Sequence, residues 1–166
     1  MDALEAIKKR RSIREYQDKP IAKDVLEKIV DAGRFAATAR DVQPWEFIVI
    51  TDQAILKRIA GMSENARFLA TAKACIAVYS SDTKYYLEDG CAATENMLIA
   101  ATALGIASCW VAGDKKPYCS DISNLLDVPS TFKLVSIISL GYPESGEAFK
   151  IKDKRPLKEL MHWEKF

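Results

Sequence analysis

Histidine is almost missing from this chain of 166 residues, which has one, and its four cysteines never fall as Cys-x-x-Cys. A metal site built on clustered imidazoles or thiolates is therefore not expected, and Cys75, Cys91, Cys109 and Cys119 read as free thiols. An excess of one charge is also missing. Lys plus Arg number 24 against 23 for Asp plus Glu, and a net charge of +1 gives no global field to attract nucleic acid or an anionic membrane. No Gly-x-Gly-x-x-Gly run is present, so nothing marks a separate dinucleotide-binding unit with a ribose-reading acid. The N-terminus is charged from Asp2 and Glu5 onward and lacks an apolar leader with a small-residue cleavage site, which makes the cytoplasm the expected location. The charge-free stretch from Met97 to Gly113 falls short of the ~20 residues of a membrane span, and Gly105 divides it into a helical and a strand-like half. No internal repeat or low-complexity tract appears.

What is there suits one domain over 1–166, since 49% hydrophobic composition can fill a single core. Asp2 is placed to cap a short helix ending near Arg10 and Arg11. After Pro20, Val25, Ile29, Val30, Gly33 and Ala37 fall on one side of a second helix, opposite Lys23, Glu27, Lys28 and Asp31. The aromatic and β-branched run from Trp45 to Ile50 predicts a strand. Asp52 caps a helix to about Gly61. Further strands are expected over 74–79, 107–111 and 133–140, with a long central helix over 82–104. From Met97 to Ala103 that helix is apolar nearly all round, and the small residues Ala92, Ala93, Ala100 and Ala101 allow close approach. Burial against a second copy, a homodimer, is the expectation. From about residue 142 the composition turns to Pro143, Gly146 and a basic run, as in an extended arm.

Three clusters can carry chemistry. Arg10, Arg11, Ser12 and Arg14 place three guanidinium forks and a hydroxyl near a helix end, a set matched to phosphate oxygens, although a basic helix end also serves the helix dipole. Ala37, Thr38, Ala39, Arg40, Asp41, Val42, Gln43, Pro44 and Trp45 lie between a helix and a strand, with their polar groups on a loop held by the two, although the bare pattern also reads as a helix stop followed by a turn. Lys150, Lys152, Lys154, Arg155 and Lys158 surround Pro156 in the arm. Alone they are a solvated surface, and with the first cluster they can close both sides of one phosphate. Glu88, Asp89 and Glu95 resemble a carboxylate set, but Glu88 and Glu95, seven apart with no His motif, read as a polar face and a cap, His162 as surface, and Cys109 as structural among apolar neighbours.

Taken in order, Arg-Arg-Ser-Ile-Arg at 10–14, Gln-Pro-Trp-Glu-Phe at 43–47 and Leu-Gly-Ile-Ala-Ser-Cys-Trp at 104–110 make the chain resemble the nitroreductase family over about residues 4–160. The resemblance implies an α+β fold with a central mixed β-sheet layered by helices, a homodimer of the domain-swapped type, and one FMN in each interfacial cleft. It assigns Arg10, Arg11 and Ser12 to the FMN phosphate and its adjoining backbone. Arg14 falls beside the flavin pyrimidine edge, where a cation stabilises the charge that reduction brings. Ala37, Thr38 and Ala39 match a loop that the partner subunit lays against the flavin, and Asn65 matches an amide at its pyrimidine ring. Val111, Ala112 and Gly113 match the backbone that passes flavin N5, with Gly113 permitting close approach to the ring. Lys152 and Lys154 align with a basic pair at the phosphate, with Arg155 as the alternative should the register slip by one. Two departures stand out: Asp41 where an Asn is usual, and Ala112 where larger members carry Glu.

The implied reaction is ping-pong, with NADH or NADPH giving hydride to flavin N5 and a nitroaromatic, quinone or similar small-molecule acceptor following, and no side chain doing covalent chemistry. The cofactors expected are thus FMN and a reduced nicotinamide. A flavin-binding store or sensor without turnover is the alternative reading.

Overall fold

The computed structural model describes residues 1–144 and 148–166; Gly146, read above as part of the change into the arm, lies outside the described residues. Two of the helix starts follow from capping chemistry. Helix α1 (Ala3–Lys9) begins where the Asp2 carboxylate accepts the Glu5 N–H at 2.8 Å. In α3 (Gln53–Gly61) the Asp52 carboxylate accepts from Ala54 and Ile55 at 2.7 and 3.2 Å. Helix α2 (Lys23–Arg34) is amphipathic and buries Leu26, Ile29 and Gly33. The central helix α4 spans Tyr86–Ala103, and a short α5 spans Cys119–Leu125. Single-turn and longer 3-10 segments occupy Ala39–Asp41, Glu64–Ala70 and Leu157–Glu159.

Four strands, β1 (Trp45–Ile50), β2 (Ala74–Ser81), β3 (Ala107–Ala112) and β4 (Phe132–Gly141), form one sheet in the order β1-β2-β4-β3. Every strand pairing is antiparallel. The mixed sheet expected from sequence is therefore reduced, among the described residues, to one parallel bridge between Ser12 and Ser108. The cause lies in the connections. Helix α3 and the 3-10 segment after it pack on each other, so the chain leaves β1 and returns to the same end of the sheet, which an antiparallel pair requires.

Helices α2 and α4 cover one face of the sheet, packing Leu26, Ile29, Met97 and Leu98 against Ile76, Val78, Val135 and Ile138. Helix α1 rides on α4. The other face carries α3, the 64–70 segment and α5 over Cys75, Ala77, Tyr79 and Ile137. A bulge in β4 departs from this alternation. Val78 opposes Ser136 but Tyr79 opposes Leu134, which leaves Val135 as the extra residue. Its carbonyl accepts both the Gly113 and Asp114 N–H groups, at 3.0 and 3.4 Å, and so ties down the turn that follows β3.

In the single chain the central helix is not covered all round: Met97, Leu98, Ala101 and Thr102 are buried, Ile99 and Ala100 are half-buried, and Ala103 is exposed. Residues 150–166 are exposed throughout and include Ile151, Leu157, Leu160, Met161 and Trp163. Among the described residues no helix is long and apolar enough to cross a membrane.

Candidate functional site

The segment that follows α1 is fixed to the sheet by a buried hydrogen-bond chain. The Tyr16 hydroxyl donates to the Ile13 carbonyl at 2.7 Å and lies 2.6 Å from Ser139 Oγ, which in turn reaches the Cys109 carbonyl at 3.3 Å. Burial raises the Tyr16 phenol above its ordinary value, so it remains a donor. Gly141 makes room for the ring, because a Cβ there would fall 2.5 Å from Tyr16 Cδ1. The Ile13 N–H donates to the Ser108 carbonyl at 2.9 Å and lays the segment along the outer edge of β3.

On this support Arg11, Ser12, Ile13 and Arg14 form one wall of a cavity of about 440 Å³, and Ala148, Lys150 and Lys152 form the other. The first and third sequence clusters thus meet in space. Arg11 Nη1 donates to the Arg10 and Lys8 carbonyls at 2.8 and 3.3 Å, but its Nε and Nη2 are buried without a partner among the described residues. Buried donors of a guanidinium left unpaired are costly, and a turn of the side chain toward an anion in the adjoining cavity would give them an acceptor. A phosphate monoester, with several acceptor oxygens and about two negative charges, fits this donor set. Arg14 stacks its guanidinium 5.4 Å from the centre of the Phe68 ring, which orients it without neutralising it.

Other expected residues stand differently. Arg10 turns to α4, with Nε 3.4 Å from Glu95 Oε1. Lys154 and Arg155 lie outside the cavity wall, carried past it by an extended arm, and Arg155 Nε is 3.7 Å from Glu159 Oε2. Asn65 is exposed in the same 3-10 segment as Phe68, the ring beneath Arg14. Burial pushes the Cys109 thiol up, against the nearby Arg14 charge, so it stays protonated.

At the end of β3 the pleat separates the three backbone candidates. Since the Ser108 carbonyl faces outward to Ile13, Trp110 and Ala112 face outward too, whereas Val111 and Gly113 face β4. The Gly113 N–H is taken by Val135, and a Cβ at Gly113 would fall 2.7 Å from the Leu134 and Val135 carbonyl oxygens. The close approach that requires Gly113 is to β4 and not to a ring. Ala112 alone of the three offers an outward N–H, while its carbonyl accepts the Tyr118 hydroxyl.

The loop of Ala37, Thr38 and Ala39 does not join this cavity. It sits at the start of α4, where Thr38 Oγ1 donates to Asp89 Oδ2 at 3.0 Å and the Ala39 N–H to Asp89 Oδ1 at 3.2 Å. Asp89 is buried, because the neighbouring loop folds over it. A buried partner for this carboxylate was visible in sequence only as the hydroxyl and amide of a polar loop fifty residues away.

A family model described as "Putative TM nitroreductase" matches residues 2–166. The chain belongs to the nitroreductase family. A protein of Archaeoglobus fulgidus named "Putative NADH dehydrogenase/NAD(P)H nitroreductase" is 36% identical, with the match covering 99% of each chain. A crystal structure of a protein of the same name from Parabacteroides distasonis superposes with a TM-score of 0.92 at 30% identity, covering 99% of this chain and 98% of that one. The FMN-dependent nitroreductase of Clostridium difficile gives a TM-score of 0.88 at 28% identity over 98% and 99% of the two chains. The likeness therefore extends to members of this chain's own length.

Proposed function

We propose that this nitroreductase-family chain is an FMN-dependent NAD(P)H oxidoreductase, acting as a homodimer and passing electron pairs by ping-pong turnover to nitroaromatics, quinones or similar electron-poor acceptors. The observation that carries the reading is the cavity lined by Arg11, Ser12, Lys150 and Lys152, against which two Arg11 donors are buried without a partner among the described residues. Those residues would hold the FMN phosphate. Bound FMN supplies a carrier that takes an electron pair from a nicotinamide and returns it to an acceptor. Arg14, held over Phe68, provides fixed positive charge where reduction adds negative charge. Ala112 provides the outward backbone donor at the end of β3. The loop at Ala37, Thr38 and Ala39 lies away from the cavity in its own chain, which suits a loop that serves the partner's flavin. The exposed apolar side chains of the arm favour burial against a second copy.

The test is an absorbance spectrum of the purified protein with FMN, followed by anaerobic NADH and then NADPH. Flavin bands that bind and then bleach are expected. Binding without bleaching by either donor supports a store or sensor instead, and no binding overturns the reading. Sedimentation as a monomer at micromolar concentration would remove the dimer from it.

A further inference from the structure

We propose that Asp89 is a positioning residue of the flavin site, whose buried carboxylate holds the loop from Thr38 to Gln43 in a strained form and so sets the reach of Ala37, Thr38 and Ala39. The inference rests on the flavin reading above and adds to it a residue that touches no ligand.

Three neighbouring residues that are not glycine, Arg40, Asp41 and Gln43, have left-handed backbones with φ of 58°, 55° and 50°. A Cβ makes that conformation unfavourable, so something must hold the loop there. Packing does not, because Ala39, Arg40 and Asp41 bury no side chain. Hydrogen bonds do. Asp89 is 5% exposed and forms no ion pair among the described residues. One carboxylate oxygen accepts the Thr38 hydroxyl and the other the Ala39 N–H. Thr38 Oγ1 in turn accepts the Gln43 N–H at 3.2 Å, and Gln43 Nε2 donates to Asp41 Oδ1 at 2.9 Å. The strained residues thus lie between one hydroxyl and one carboxylate, and Asp89 is the anchor fixed in the fold. An ionised carboxylate is an acceptor at both oxygens, whereas an amide in its place accepts at one and presents N–H groups at the other.

The test uses the full chain with Asp89→Asn, Thr38→Val and the double substitution. Each single change is expected to raise the FMN dissociation constant about ten-fold, the scale of a lost charge-assisted hydrogen bond, and to shift the visible band of bound flavin. The double variant is expected to be no worse than either single one, since both break the same link. In flavin-free protein, the Ala39 and Gln43 amides should exchange with deuterium faster in both single variants. Should Asp89→Asn fail to fold, Thr38→Val on the half-buried loop tests the same link alone. Wild-type affinity and spectrum in the single variants, or effects that add in the double one, would overturn the positioning role while leaving the flavin reading intact. Failure of the unsubstituted chain to bind FMN would overturn both.

Discussion

Arg10 and Arg11 are adjacent and chemically identical, yet their guanidinium groups face different surroundings. Arg10 already pairs with Glu95, while two Arg11 nitrogens are buried without partners among the described residues. Arg11→Ala should therefore weaken FMN binding by about 1.5 to 3 kcal/mol, and Arg10→Ala by clearly less, as read by fluorescence titration. Equal losses would contradict the assignment of the phosphate to Arg11. Arg14→Ala should leave most FMN bound but lower its reduction potential in a spectroelectrochemical titration, because the charge over Phe68 is removed. An unaltered potential would remove that role. The sequence made legible a cluster of residue types at 10–14 suited to anions. Which donor lacks a partner was not, since that depends on where α4 places Glu95.

At the scale of elements, the strands were legible because Trp45 to Ile50, Ala74 to Tyr79 and Lys133 to Leu140 are mostly apolar, contain β-branched or aromatic residues and carry few polar ones. Helix α5 was not. Its sequence from Cys119 to Leu125 is rich in Ser, Asp and Asn, which favour the helix weakly, and its N-cap Tyr118 makes no side-chain cap. The central helix starts at Tyr86 and not near Asp82, as turns at Thr83 and Tyr86 use up the intervening residues. The β4 bulge was invisible as well, since no glycine or proline marks it at Val135. The junction of β4 with the basic segment is open to test. Gly141→Ala would force a Cβ into the Tyr16 ring, at an expected cost of about 1 to 3 kcal/mol in urea unfolding. FMN affinity should fall with it, because Tyr16 fixes the segment that carries Arg11. Unchanged stability would show that the ring moves aside freely.

For the whole molecule, alkali should be more damaging than mild acid through two buried groups. Burial pushes the Cys75 thiol up to about 12 from an ordinary 9.0 and raises the Tyr16 phenol as well. The folded chain holds these protons more tightly than the unfolded chain. Their contribution is therefore complete below about pH 9 and is lost as pH rises from there toward 12. Urea midpoints should decline over that interval, and a flat profile would count against the burial of these groups. The two edges of the sheet also differ in a way that bears on solubility. Along β3, Ile13 occupies Ser108 and the Tyr118 hydroxyl occupies Ala112, so few adjacent backbone groups remain to recruit a strand. Among the described residues the outer edge of β1 has no such cover, and Val49 is exposed beside it. Chains separated from their neighbours should aggregate by β1 and not by β3, and Val49→Lys should delay that aggregation without disturbing the cavity on the opposite edge.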